Sequence, residues 1–273
     1  HALTPELLGR WQAAGLGLLF IGAVDEEKGC GGARSLAEQR RFRTDELIVL
    51  EPTELGIVHA HKGALWYEIE LQGLPAHGSM PETGFSAIRS MVPVMDLVEA
   101  EARDARGEGS ESLGYPTVNI GVVNGGSGIN IVPASCRIQV DRRTLRGEDQ
   151  AAILGRIRRG LDRLTDEGQV RGWELRQTAG APAYCSDIDV GLVQRLSAAV
   201  SACGIEPRTG GTGWYSDAGP LSALSGATVV FGPGSIAQAH TVDEYIELAS
   251  LQKGADILSA FLESTLAEWR PEA

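Results

Sequence analysis

Leu16-Gly17-Leu18-Leu19-Phe20-Ile21-Gly22-Ala23-Val24 runs into Asp25-Glu26-Glu27-Lys28-Gly29-Cys30-Gly31-Gly32-Ala33, and the rest of the chain is best understood from this join. The apolar run 16–23 has the composition of a strand buried on both faces of a parallel sheet. The glycines that follow mark a turn, and a helix is expected over 33–41. Glu26 and Glu27 would then stand at the carboxyl end of a central strand, where open α/β sheets build their sites. Adjacent carboxylates repel, so the pair is either a solvated acidic turn or part of a cation site. Residues downstream have to separate these two readings.

The 273 residues carry 36 acidic and 24 basic side chains, a net charge of −12, and 43% hydrophobic residues. That composition can bury the core of one or two domains. The acidic balance argues against a nucleic-acid or anionic-membrane partner, since both select a basic face. No apolar run reaches the ~18–20 residues of a membrane span, and the sequence shows no basic-then-apolar leader. Cys30, Cys136, Cys185 and Cys203 are scattered without a Cys-x-x-Cys pair. Free thiols and a cytoplasmic setting are therefore expected. The Gly-, Ser- and Glu-rich stretch 103–114 reads as a flexible loop.

In chain order, Thr4-Pro5-Glu6 reads as the cap, first-turn proline and first-turn acid of a helix reaching about residue 14. After the strand 16–24 and the helix 33–41, short apolar strands are expected at 46–50 and 56–60. The first of them ends at Glu51. Strand 64–71, helix 85–102, strands 117–124 and 134–142, helix 147–164 and strand 172–177 follow. That order is βαββαβ, the ferredoxin-like unit, inserted between two α/β segments. Domains are accordingly expected at 1–61 and 178–273 for the α/β part and at 62–177 for the insert. Beyond it lie a helix at 188–202, a Gly/Thr-rich loop at 207–217, a strand at 227–231 and a final helix at 242–269. Glu27, Glu51 and His240 would each sit past a strand of one sheet. Two carboxylates and an imidazole converging there suit Zn²⁺, Co²⁺ or Mn²⁺. Taken singly, each also fits a satisfied surface residue.

Five separated motifs go further: Asp25-Glu26-Glu27-Lys28-Gly29, Glu51-Pro52-Thr53, Ala76-His77-Gly78-Ser79, Asn130-Ile131-Val132-Pro133, and Ala239-His240-Thr241-Val242-Asp243-Glu244-Tyr245. In that order they resemble the di-metal amidohydrolase and peptidase family of acetylornithine deacetylase, succinyl-diaminopimelate desuccinylase, carboxypeptidase G and aminoacylase. The resemblance implies an α/β zinc-peptidase-like catalytic domain, a mixed sheet with helices on both faces, carrying a ferredoxin-like lid and dimerisation domain. It implies two Zn²⁺ or Co²⁺ per site, a homodimer, and hydrolysis of the amide bond of a small N-acyl amino acid or peptide.

By the same resemblance, Glu26 is the general base acting on water. Glu27 and His240 ligate one metal, and Glu51 ligates the other. His77 is implied to reach the partner subunit's site and stabilise the oxyanion, and Asn130 to contact substrate. Arg143 is implied to grip the substrate carboxylate, with Arg142 in its place if the register slips by one. The stretch 231–245 is most like the acetylornithine deacetylase branch and puts Gly234 beside the substrate; Asp217 resembles a Ser/Thr-Asp loop there. Two other readings stay open: a dipeptidase, carboxypeptidase or desuccinylase of the same family, and an inactive dimeric relative. One departure stands out. The His-x-Asp motif and bridging Asp that precede the Glu pair in the family are not in this sequence, so impaired metal binding and little activity are expected of the chain as written.

Overall fold

The computed structural model describes residues 3–107 and 109–269. Its elements in chain order are α1 (Pro5–Ala13), α2 (Gly31–Gln39), β1 (Thr44–Val49), β2 (Ile57–His61), β3 (Gly63–Gln72), α3 (Ala87–Asp104), β4 (Thr117–Gly125) and β5 (Ser135–Thr144). There follow α4 (Gln150–Asp166), β6 (Gly172–Ala181), β7 (Tyr184–Cys185), α5 (Gly191–Ala202), β8 (Thr209–Thr212), α6 (Ala218–Leu221), β9 (Ser225–Val230) and α7 (Leu248–Glu268). They form two compact units. Unit 1 comprises His1–His61, Tyr184–Thr212 and Ser216–Ala273; unit 2 comprises Lys62–Ala183 and Gly213–Tyr215. The insert expected at 62–177 thus extends further, because β6 stays paired with β3 as far as Ala181 opposite Ala64.

Unit 2 is the βαββαβ arrangement that its alternating strands and amphipathic helices imply. All its strand pairs are antiparallel, in the order β4-β5-β3-β6. Period-two alternation puts Leu65, Tyr67, Ile69 and Leu71 of β3 and Ile138 and Val140 of β5 on one face. They pack with Met91, Val94 and Val98 of α3 and Ile153, Ile157 and Leu161 of α4. Arg142, fully buried, lies on that same face of β5. Its Nε donates to Glu101 at 3.1 Å and its Nη2 to Glu148 at 2.7 Å, while Arg156 closes on Glu101 at 2.6 Å.

Unit 1 holds a mixed sheet in the order β1-β9-β2-β7, with β8 added alongside β2. β1 and β9 run parallel, as do β2 and β8, whereas β2 is antiparallel to β7 and β9. Leu7 and Trp11 of α1, Leu192 and Leu196 of α5, Val229 of β9 and Ile257 and Phe261 of α7 form its core. Thr4 caps α1 as expected, its Oγ1 accepting from the Leu7 N–H at 3.2 Å.

Three expectations are corrected here. The run 16–24 is not a strand, and its apolar side chains are not buried: Phe20 is 81% exposed and Leu19 59%. Apolar composition predicts burial, but a strand also needs a neighbour to take its N–H and C=O groups. Within this chain the edge strand β1 is paired with β9, not with 16–24. The final helix begins at Leu248 rather than 242, leaving Val242 and Tyr245 in exposed non-helical chain. The loop expected at 207–217 contains β8, a Thr-Gly-Gly-Thr strand held by its pairing with β2. In the loop expected at 103–114, Glu108 lies outside the described residues.

Candidate active site

The Glu26–Glu27 turn is shaped by backbone conformation. Asp25 (φ 60°), Gly29 (φ 95°) and Cys30 (φ 58°) are all left-handed. A β-carbon strains that region, although Asp tolerates it better than most. Between them Glu26–Lys28 makes a single 3₁₀ turn. Gly32 ties the loop shut by donating its N–H to the Val24 carbonyl at 2.9 Å. A Cβ at Gly32 would meet the Val24 backbone N and O at 2.7 and 2.8 Å, so that position admits no side chain without movement. Both acids are thereby displayed at the amino end of α2.

Glu51 is carried by β1. The parallel neighbours β1 and β9 end side by side, with the Phe231 N–H donating to the Val49 carbonyl at 2.9 Å. Thr53 Oγ1 accepts from the Gly232 N–H at 3.0 Å, fixing the two loops together. Gly234 (φ 87°) is left-handed, with its N–H given to Ser250 Oγ at 3.2 Å and its carbonyl accepting from Glu54 N–H at 2.7 Å. Both its backbone polar groups are therefore engaged within the chain. His240, also left-handed at φ 61°, lies beyond a second 3₁₀ turn, and its Nε2 is 3.0 Å from Glu27.

Electrostatics bind these residues into one cluster within unit 1. Burial, then Glu27 and Asp217, push Glu26 up to about 7, with His240 opposing. Burial, then Glu26, Asp217 and Glu27, push Glu51 up to about 7. Asp217 is raised by burial and partly restored by a hydrogen bond from the Cys30 thiol. That thiol is itself pushed far up, first by burial and then by Asp217 and Glu26, which leaves no thiolate for chemistry. His240 is raised through its hydrogen bond to Glu27 and remains exposed. Nothing in the sequence marks the Cys30–Asp217 contact, because it arises from the tertiary meeting of α2 with α6.

A group of carboxylates whose proton affinity is raised first by burial and then by one another suits a cation. The donor count falls short, however. Glu27 and His240 form a preassembled pair, and Glu51 stands on its own loop. Among the described residues no three His, Cys, Asp or Glu side chains are grouped to hold a metal ion. A catalytic zinc centre uses three protein ligands. These residues therefore do not complete a metal site by themselves.

The remaining expected residues lie in unit 2. His77 Nδ1 accepts the Ser79 N–H at 3.2 Å and sits 2.7 Å from Ser79 Oγ. In the neutral ring that places the proton on Nε2, which is the tautomer able to donate outward. The His77 loop is joined to Asn130, since the Gly78 N–H donates to the Asn130 carbonyl at 2.7 Å and His77 bridges Ile131. A Cβ at Gly78 would meet Asn130 backbone C and O at 2.9 Å. Gly78→Ala should therefore cost about 1–3 kcal/mol, seen in denaturant melts, and should displace the His77 ring resonances. An unchanged His77 spectrum would mean the two loops are not coupled.

Arg143 is at the opposite end of the sheet, paired with Ala64 where β3 begins. The length of β5 puts it about 27 Å from the His77–Asn130 end. One chain therefore brings His77 and Asn130 together but not with Arg143. The fallback Arg142 is ruled out as a substrate group by its burial in the ion network.

A family model described as peptidase dimerisation domain matches residues 59–169. The acetylornithine deacetylase of Myxococcus xanthus is 33% identical over 251 residues, covering 89% of this chain and 63% of that protein. An aminopeptidase PepT structure from Bacillus cereus superposes with TM-score 0.69 at 25% identity, over 90% of this chain and 63% of that one. An M20 family metallo-carboxypeptidase from Sulfolobus solfataricus shares the fold at TM-score 0.72 and 16% identity, over 89% and 69%. The chain spans a little under two thirds of the acetylornithine deacetylases it matches. No helix among the described residues is long and apolar enough to cross a membrane.

Proposed function

We propose that the chain is a member of the M20 family of metallopeptidases and acetylornithine deacetylases and that it acts as a hydrolase cleaving the amide bond of a small N-acyl amino acid. Glu26 is the general base: it takes a proton from the attacking water and returns it to the leaving nitrogen. Arg143 holds the substrate carboxylate through its guanidinium fork. His77 donates from Nε2 to the oxyanion, with Asn130 beside it. Glu27 with His240, and Glu51 on its own loop, are the residues for Zn²⁺ or Co²⁺. A metal held there would take further ligands from other groups and, when bound, would lower the pKa of the attacking water. Asp217 orders the loop facing the acids, and Gly234 supplies the turn that lets β9 lead into the His240 segment.

The observation that carries the reading is the joint placement of Glu26, Glu27, Glu51, Asp217 and His240 in one electrostatic cluster. The separation of His77 from Arg143 along one sheet supports a homodimer, since two copies can supply both ends to one small substrate. Release of free amine from N-acetyl-L-ornithine, with Zn²⁺ or Co²⁺ added, tests the activity. Glu26→Gln should lower kcat by about 10²–10⁴-fold with KM little changed. Equal rates in both proteins, with the wild type above the uncatalysed background, would remove Glu26 as base.

A second reading is favoured by one observation, the lack of a three-residue metal group among the described residues. It makes the chain a dimeric binding protein without chemistry. Ligand binding with no turnover at any metal concentration would select it.

A further inference from the structure

The buried strand β2 reads Ile57-Val58-His59-Ala60-His61 and ends on a polar residue that is fully buried, His61. A buried imidazole needs hydrogen-bond partners. One of them is the Ser216 N–H, which donates to His61 Nε2 at 3.3 Å. An accepting Nε2 puts the proton of the neutral ring on Nδ1. Backbone and ring are both held in place. His61 is paired with Tyr184 of β7 and with Thr212 of β8, and the Tyr184 ring stands edge-on to the imidazole at 4.5 Å. The chain passes out of or back into unit 1 at four points: after His61, before Tyr184, after Thr212 and before Ser216. His61 meets the unit 1 residue at each of the other three.

The residue after Ser216 is Asp217, which acts electrostatically on both Glu26 and Glu51. Its carboxyl takes a hydrogen bond from the Cys30 thiol, and its Oδ1 is buried with no partner among the described residues. A carboxylate so placed, facing two others, gains by turning out to water. Something must hold its backbone. Within the turn, the Ala218 N–H donates to Ser216 Oγ at 3.2 Å, the Gly219 N–H to the Ser216 carbonyl at 3.1 Å and the Leu221 N–H to the Asp217 carbonyl at 3.1 Å. These bonds shape the turn without anchoring it. The bond from Ser216 to His61 ties it to the sheet, through a side chain whose own strand is fixed by two neighbours.

Building on the assignment of Asp217 to the loop facing the acids, we infer that His61 is a positioning residue: through the Ser216 N–H it holds Asp217 against Cys30 and opposite Glu26 and Glu51. It acts through Asp217 and neither touches substrate nor moves a proton.

The full chain and two variants test this by NMR, without turnover. His61→Gln keeps an acceptor, Oε1, near the place of Nε2; His61→Leu fills a similar volume and accepts nothing. In the wild type the ring ¹⁵N signals should show the proton on Nδ1 and a bare Nε2. His61→Leu should speed exchange of the Ser216 amide about tenfold and move the carboxyl ¹³C resonance that Asp217→Asn removes. His61→Gln should bring that exchange to within about threefold of wild type and return the Asp217 resonance to its place. A side chain that merely fills the core would give no such rescue. A proton on Nε2 in the wild type, a Gln variant no closer to wild type than the Leu variant, or an Asp217 resonance unmoved in His61→Leu would overturn the inference. Should His61→Leu fail to fold, the wild-type ring and the Asp217 resonance of His61→Gln decide. If these signatures hold and N-acetyl-L-ornithine is not hydrolysed, the hydrolase reading falls and the role of His61 stands. Hydrolysis without the signatures would do the reverse.

Discussion

Replacing Arg142 with alanine should destabilise unit 2 by about 3–5 kcal/mol, whereas Arg143→Ala should cost about 1 kcal/mol or less. The two neighbours differ only in which face of β5 they occupy. Arg142 lies among the core side chains and is fully buried, with Glu101 4% and Glu148 18% exposed at their side chains. Removing it takes one buried cationic partner from each acid, leaving Glu101 to Arg156 and Glu148 to the Leu145 N–H, and opens a hole the size of a guanidinium. The cost arises mainly from the under-compensated partners, not from the net strength of the ion pairs. Arg143 is partly solvated and bonded to a carboxylate that water can also reach. Urea melts of the two variants decide the matter, and equal losses would overturn the assignment of Arg142 to structure and Arg143 to ligand.

A second large effect is expected in the pH dependence of the metal-free protein. Glu26 and Glu51 are pushed up to about 7 when folded, from 4.5 unfolded. Below pH 4.5 both states hold these protons and no penalty exists. As pH rises towards 7 the unfolded chain ionises first, so the folded state loses stability, and the loss is complete above the folded values. Undiscounted, such shifts would be worth several kcal/mol. Both groups are partly solvated and repel each other, so about 1 kcal/mol each is the reasonable size. Glu51→Gln should therefore be about 1 kcal/mol more stable than wild type at pH ~8 and equal to it at pH ~4.5. Melts in chelator at both values test this. A difference that does not vary with pH would mean that Glu51 is not strained by its neighbours.

Much of unit 2 could be anticipated because its signals are local. Leu65, Tyr67, Ile69 and Leu71 alternate, and Ile153, Ile157 and Leu161 repeat at helical spacing, so strand and helix declare themselves without tertiary information. The same alternation distinguishes Arg142 from Arg143, since Ile138, Val140 and Arg142 fall on one face. Unit 1 was harder to read. Residues 209–212 have turn composition and become a strand only because β2 offers an edge. Residues 16–24 have strand composition but pair with no strand. The candidate site was visible as separate acids and a histidine at loop positions. That Cys30 bonds Asp217, or that Ser216 bonds His61, depends on packing that spacing does not encode.

The exposed run 16–24 has a further consequence for the chain's behaviour in concentrated solution. It is uncharged, free of proline and rich in Leu, Ile, Val and Phe, the composition of segments that stack between molecules into cross-β assemblies. Asp25, Glu26 and Glu27 follow it immediately. Charge at the border of such a segment opposes stacking, because every added molecule brings like charges into line. Asp25, Glu26 and Glu27 are therefore expected to oppose stacking of this run, and neutralising them should raise the chain's tendency to self-associate, read as light scattering against concentration.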